Sequence, residues 1–195
     1  MNTKLNLNLS PKDIEKACYE LTRLNARVNY RENEYAPEYV FKKAIEHWNC
    51  KNSIQQIINE FFIGINLKPA VFKDTIPCLK MLKRECSIGA LTNLPTGMPD
   101  EIFKKDIVDL TLFFDLYVSS VSCGYRKPNK FGLEYIAKHF ETPVKELLFV
   151  GDEKLDIQTA QNAGCKSVLI DRKSTQKDYG QDYTIKSLFD LEAVL

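Results

Sequence analysis

Leu147-Leu148-Phe149-Val150-Gly151-Asp152-Glu153-Lys154-Leu155-Asp156-Ile157 is the stretch whose reading decides the fold of this 195-residue chain. Four apolar residues run into a glycine and then into two aspartates four positions apart. A short apolar run bounded by a turn signal predicts a strand buried on both faces, as in a parallel sheet. The pattern from Leu155 to Ala163 predicts a helix, so both carboxylates fall where strand passes into helix. In open parallel sheets ligands sit outside the carboxyl ends of the strands. Asp152 there can cap the helix, or the two aspartates can hold a divalent cation.

Working outward, the same alternation continues. Thr75 to Lys83 predicts a helix, and Ser87-Ile88-Gly89-Ala90-Leu91 a strand. A helix around Asp100 to Val108 precedes the strand Leu116-Tyr117-Val118-Ser119-Ser120. The helix Asn129 to Phe140 leads into Leu147–Val150, and the helix Leu155 to Ala163 into the strand Ser167-Val168-Leu169-Ile170. A helix from Lys186 to Val194 closes the chain, after the polar loop Lys173 to Asp182. Strands alternating with helices imply βαβ units and one parallel sheet.

Residues before about 69 differ. Ser10-Pro11-Lys12-Asp13 is a helix start, with a hydroxyl cap, proline at the first position and an acidic first turn. Ile14, Ala17, Cys18, Leu21 and Leu24 then form one apolar stripe. Helices are predicted again over Pro37 to Trp48 and Ser53 to Phe62. This is either a small helical bundle without chemistry or a lid lined by aromatics such as Tyr30, Tyr35 and Phe62.

Composition narrows the class. The chain is 44% hydrophobic and 27% charged, which excludes disorder for most of its length. Lys plus Arg number 27 against 26 Asp plus Glu, so no electrostatic footprint for nucleic acid or an anionic membrane exists. Apolar runs such as Phe61-Phe62-Ile63-Gly64-Ile65 fall far short of the ~20 residues that span a bilayer. Met1-Asn2-Thr3-Lys4-Leu5 has no secretory apolar core. Six cysteines without a Cys-x-x-Cys pair read as reduced core thiols, and a cytoplasmic protein is the expectation.

Two other strand ends carry polar groups: Thr92-Asn93-Leu94-Pro95 and Cys123-Gly124-Tyr125-Arg126-Lys127-Pro128. Each alone has a plain reading, as a turn or cap for Thr92-Asn93 and a solvated loop for Arg126-Lys127. All three in order suit magnesium held by carboxylates beside a phosphate held by a lysine and a hydroxyl.

That combination resembles the haloacid dehalogenase superfamily of phosphohydrolases. Val150 to Ile157 with Ala160 and Ala163-Gly164 looks like its fourth motif, Gly124-Tyr125-Arg126-Lys127-Pro128 like its third, and Ala90-Leu91-Thr92-Asn93 like its second. The resemblance covers roughly residues 69 to 172. It implies a Rossmann-like α/β core (69–195, with 1–10) and a small α-helical cap (11–68). It also implies hydrolysis of a small phosphorylated metabolite with Mg2+. Asp152 and Asp156 would bind the metal, directly or through water. Lys127 would balance charge on the phosphoryl group, and Thr92 with the Asn93 amide would bind its oxygens.

The family's first motif, Asp-x-Asp-Gly-Thr on the central strand, has no counterpart. Its first aspartate forms an aspartyl-phosphate and its second is the general acid and base. Either Leu5-Asn6-Leu7-Asn8-Leu9-Ser10 is a degenerate copy, with Asn6 and Asn8 in place of the aspartates, or the chain begins past the motif. The first gives a phosphate-binding pseudoenzyme, because an amide cannot act as a carboxylate nucleophile. The second leaves two strands with unpaired backbone and should fold badly alone, so a well-ordered structure would favour the first.

Overall fold

A computed structural model describes residues 2–66 and 69–195. Met1 and the expected boundary at Lys68 lie outside the described residues.

The first helices form where the sequence places them. Ser10 caps α1 (Pro11–Leu24) by accepting from the Asp13 amide, and Asp13 returns the bond to the Ser10 amide. Ser53 and Gln56 repeat this box at α3 (Ile54–Ile65). Between them α2 (Pro37–Ala44) stops four residues short of the expected Trp48. There the chain turns back, and the Trp48 indole donates to the Asp13 carbonyl at 3.3 Å. The three helices close on Leu24, Val40, Phe41, Ile57, Ile58 and Phe62. Met98, from beyond the first strand, is buried in the same cluster, with Ile102 and Phe103 against it.

The α/β part follows as α4 (Thr75–Leu82), β1 (Gly89–Thr92), α5 (Asp100–Asp106), α6 (Val108–Thr111) and β2 (Leu116–Ser119). Then come α7 (Ser120–Cys123), α8 (Phe131–His139), β3 (Leu148–Gly151), α9 (Lys154–Ala163), β4 (Lys166–Ile170) and β5 (Tyr183–Ile185). The expected closing helix is a 3-10 turn over Leu188–Ala193, and β5 lies just before it. All pairings are parallel, yet the strands form two sheets among the described residues, β1–β2 and β3–β4–β5. β1 and β3 therefore each pair on one side only.

A shared roof holds the pieces side by side. α8 presents Leu133 and Ile136 to a cluster that contains Leu91 of β1, Val118 of β2 and Phe149 of β3. Gly132 permits this approach, since a Cβ there would meet Leu91 Cδ1 at 2.6 Å. On the three-stranded piece, Cys78 of α4 packs with Val168, Ile185 and Leu191.

Residues 2–9, expected with the α/β core, form turns over 2–6 and irregular backbone over 7–9 instead. Asn6 and Asn8 both have positive φ, near 50°, and Asn2 bonds the Leu9 backbone. Leu5 packs against the helical cluster. The stretch is therefore no strand, and the idea that Asn6 and Asn8 stand on a central strand is overturned: left-handed residues break the extended backbone that a ladder needs. Of the six free cysteines only Cys78 is buried, while Cys18 and Cys86 are exposed, so the expectation of six core thiols fails. No helix among the described residues is long and apolar enough to cross a membrane.

Candidate functional site

Three loops meet at the carboxyl ends of β1 and β3. Asn93 follows β1, and its side chain clamps the backbone of Lys127: Oδ1 accepts from the Lys127 amide at 2.8 Å and Nδ2 donates to the Lys127 carbonyl at 3.2 Å. The Lys127–Pro128 peptide is cis, and the Pro128 carbonyl accepts from Asn162 Nδ2 at 2.9 Å. Lys127 Nζ then donates to Asp156 Oδ1 at 2.5 Å.

Asp156 is the pivot. Only 3% exposed, its carboxylate is offset by the ammonium and by two amides: Oδ2 accepts from Asp152 N at 3.1 Å and Glu153 N at 2.9 Å. Gly151 makes room for it, since a Cβ there would stand 2.3 Å from Asp156 Cβ. Both Asp156 oxygens are thus engaged within the protein. The Asp152 carboxylate is exposed and, among the described residues, takes no hydrogen bond. Thr92, half-buried, ends β1 one residue before Asn93.

The structure therefore brings Asn93, Lys127, Asp156 and the Asp152 backbone into one chain of contacts, with Thr92 adjacent. No three His, Cys, Asp or Glu side chains stand together as a metal cage among the described residues. An open carboxylate on the loop whose amides hold Asp156 nonetheless fits magnesium, which is commonly held by one or two carboxylates plus phosphate oxygens and water. In such a donor set Asp152 would supply the free oxygens, while Asp156 fixes Lys127 and the loop from behind.

A buried network that the sequence did not reveal supports this loop from the other side. Residues 32–34 lie beside residues 124–126: Asn33 and Tyr125 form an antiparallel bridge, the Arg126 amide donates to the Glu32 carbonyl at 2.6 Å, and the Glu34 amide to the Gly124 carbonyl at 2.8 Å. The Glu34 side chain, 2% exposed, accepts from Arg126 Nη1 and from Ser120 Oγ, the latter at 2.6 Å. Arg126 Nη1 also donates to the Leu94 carbonyl at 3.0 Å, and Ser120 Oγ accepts from the Leu94 amide at 3.1 Å. Arg31 stands within 3.7 Å of Glu34 on its other oxygen, and burial pushes its guanidinium pKa down. Glu34 thus ties the loops after β1 and β2 to the residue preceding Lys127. A polar-looking Arg-Glu-Asn-Glu run gave no sign of this.

A cleft of about 490 Å³ opens between the helical part and the loop after β1, bordered by α1, α3 and residues 93–96. Asn93 and Arg126 line it, as does Phe62; Tyr30 and Tyr35, the other expected lining aromatics, do not. A larger cavity of about 640 Å³ lies on the outer face of α1 and α2, between Tyr19, Arg23, Tyr39 and His47, and meets none of the predicted site residues.

A family model described as haloacid dehalogenase-like hydrolase matches residues 16–170. The phosphoglycolate phosphatase of Aliivibrio fischeri is 25% identical over 130 residues, covering 66% of this chain and 56% of that protein. That of Salmonella typhimurium is 32% identical over 82 residues, 42% of this chain and 32% of its own length. The chain thus matches about half or less of these relatives. Among solved structures, a 2-haloacid dehalogenase from Pseudomonas syringae superposes with a TM-score of 0.71 at 19% identity, covering 98% of this chain and 84% of that one. A HAD phosphatase from Thermococcus onnurineus gives 0.64 at 20% identity, over 99% and 83%. At such identities the likeness is one of fold.

Proposed function

Because this chain belongs to the haloacid dehalogenase-like hydrolases, we propose that it carries the phosphate-handling machinery of a hydrolase for a small phosphate monoester. The observation that carries this reading is the Asn93–Lys127–Asp156 chain. Asn93 fixes the Lys127 backbone on both sides, and Asp156 aims its ammonium at the sheet's carboxyl edge. A lysine so held needs no reorganisation to meet charge on a phosphoryl oxygen. The Thr92 hydroxyl and Asn93 amide, at the end of β1, would bind the remaining oxygens. Asp152 would hold magnesium, which when bound neutralises charge on the phosphoryl group. The helical part, sharing the cleft with Asn93, would act as the cap that excludes water.

An aspartyl-phosphate needs a carboxylate nucleophile, and Asn6 and Asn8 are amides at positive φ outside any strand. The unpaired edges of β1 and β3 support a different seat for it: an extended strand between them, which these residues do not supply. The chain as it stands is then an impaired hydrolase that binds phosphate. The test is turnover of p-nitrophenyl phosphate with excess magnesium. We expect at most trace hydrolysis; turnover abolished by Asp152→Asn would mean that a nucleophile is present after all.

The relatives named phosphoglycolate phosphatases make a phosphorylated hydroxy acid the first substrate to try.

A further inference from the structure

Lys127 and the loop after β1 are held together by a carboxylate that belongs to neither. Leu94, next to Asn93, is fully buried, and both of its backbone groups are engaged. Its amide donates to Ser120 Oγ at 3.1 Å, and its carbonyl accepts from Arg126 Nη1 at 3.0 Å. Ser120 Oγ donates in turn to Glu34 Oε2 at 2.6 Å, and Arg126 Nη1 donates to the same oxygen. One oxygen of Glu34 therefore closes a ring through Ser120, Leu94 and Arg126. Ser120 and Arg126 are buried as well, so breaking one bond of the ring leaves a desolvated group without a partner.

The ring joins the chain neighbours of the site residues. Leu94 follows Asn93, Arg126 precedes Lys127, and Asn93 grips Lys127 directly. A second tie comes from Glu32, on the same segment between α1 and α2. Its carbonyl accepts from the Arg126 amide at 2.6 Å, while its carboxylate accepts from Asn129 Nδ2 at 2.8 Å and from the Tyr30 hydroxyl at 3.0 Å. Lys127 is thus held on both sides along the chain by residues 32–34 of the helical part.

An apolar contact between the same segments would stabilise them without desolvating a carboxylate. What the hydrogen bonds add is direction. A binding constellation must be held within about 0.5 Å by the residues behind it, and the Glu34 ring spans the two loops whose relative placement matters.

We propose that Glu34 is a positioning residue for the oxyanion site. Through Ser120 and Arg126 it sets where Thr92 and Asn93 stand relative to Lys127, so phosphate affinity depends on the docked helical part. The proposal rests on the phosphate reading above. Coupling of this kind is reciprocal, so bound phosphate strengthens the docking of residues 32–34 in turn.

Titration of the whole chain with inorganic phosphate in excess magnesium tests this, with Glu34→Gln, Ser120→Ala and Asp74→Asn compared with the wild type. Asp74→Asn is the matched control, because it neutralises another carboxylate paired with an arginine, outside the ring. Each variant is first shown to melt cooperatively. Glu34→Gln should weaken phosphate about tenfold and Ser120→Ala about threefold, the scale of a small misplacement, while Asp74→Asn stays within about twofold of the wild type. Hydrogen exchange gives a readout that a merely structural brace would not move. Saturating phosphate should slow exchange at the Glu34 and Arg126 amides about threefold or more in the wild type, and leave the Leu188 amide beside Asp74 unchanged.

Wild-type affinity in Glu34→Gln, or an equal loss in Asp74→Asn, overturns the proposal and leaves the phosphate site standing. Exchange that phosphate slows equally at all three amides, or at none, overturns it too. Should Glu34→Gln fail to fold, Ser120→Ala decides, and wild-type affinity there overturns the proposal. If the wild type binds no phosphate, the phosphate-site reading falls and this proposal with it.

Discussion

Two buried carboxylates, Asp74 and Glu34, each pair with an arginine in a different part of the molecule, and the two sets differ in how fully they are closed. Asp74, before α4, accepts from both Arg172 Nη groups, from Ser187 Oγ and from the Leu188 amide. Every acceptor is used, and the set staples the closing turn onto the three-stranded sheet. Glu34 and Arg126, beside the two-stranded sheet, leave guanidinium donors unspent on a cleft. The first pair is closed and structural. The second leaves Arg126 Nε and Nη2 without a protein acceptor among the described residues.

The comparison can be broken by substitution. Glu34→Ala leaves Arg126 and Arg31 buried without a counter-charge, so unfolding in urea should show a loss of about 3–5 kcal/mol. A loss under about 1 kcal/mol would remove Glu34 from its place at the centre of the network. Asp74→Asn should cost less, about 2–3 kcal/mol, because Arg172 is partly exposed and can regain water.

The Asp74 pair also has a pH signature. Arg172 first, then the Leu188 amide and Ser187 hydroxyl, hold the Asp74 carboxyl well below its ordinary value. A depressed folded-state pKa gives stability that is complete above the unfolded value of about 4 and is lost as pH falls below it. Melting curves between neutral pH and acid should therefore show a steeper acid loss in the wild type than in Asp74→Asn. Parallel curves would contradict the assignment.

Gly151→Ala sharpens the open side of the comparison. Its Cβ would collide with Asp156, so the carboxylate must move away from Lys127. Phosphate binding should weaken about tenfold, a change of about 1.4 kcal/mol; unchanged affinity would separate Asp156 from the site. The smallest effect belongs to Lys83→Ala. Its pair with Asp115 is more than a third exposed on both sides, so thermal unfolding should register under about 1 kcal/mol.

What the sequence disclosed follows from how local each feature is. Ser10-Pro11, Ser53, the apolar run before Gly151 and the Lys127-Pro128 loop are short-range signals, and the matching caps, strand and loop are present. Asp152 and Asp156 were legible as a pair, but their division of labour was not: it depends on Gly151 and on Lys127 arriving 29 residues away in the chain. Glu34 was invisible because its partners Ser120 and Arg126 lie 86 and 92 residues off. Arg126 read as half of a solvated loop for the same reason. The divided sheet was foreseen only as a consequence of a missing strand, and β5 escaped notice because three residues make no pattern.

The central claim is that Lys127, held by Asn93 and Asp156, receives an oxyanion. Titration of inorganic phosphate in the presence of magnesium, comparing the wild type with Lys127→Met and checking both by thermal melting, tests it most directly. The account predicts at least tenfold weaker binding in a variant that still melts cooperatively. Equal affinity in the two folded proteins would contradict it.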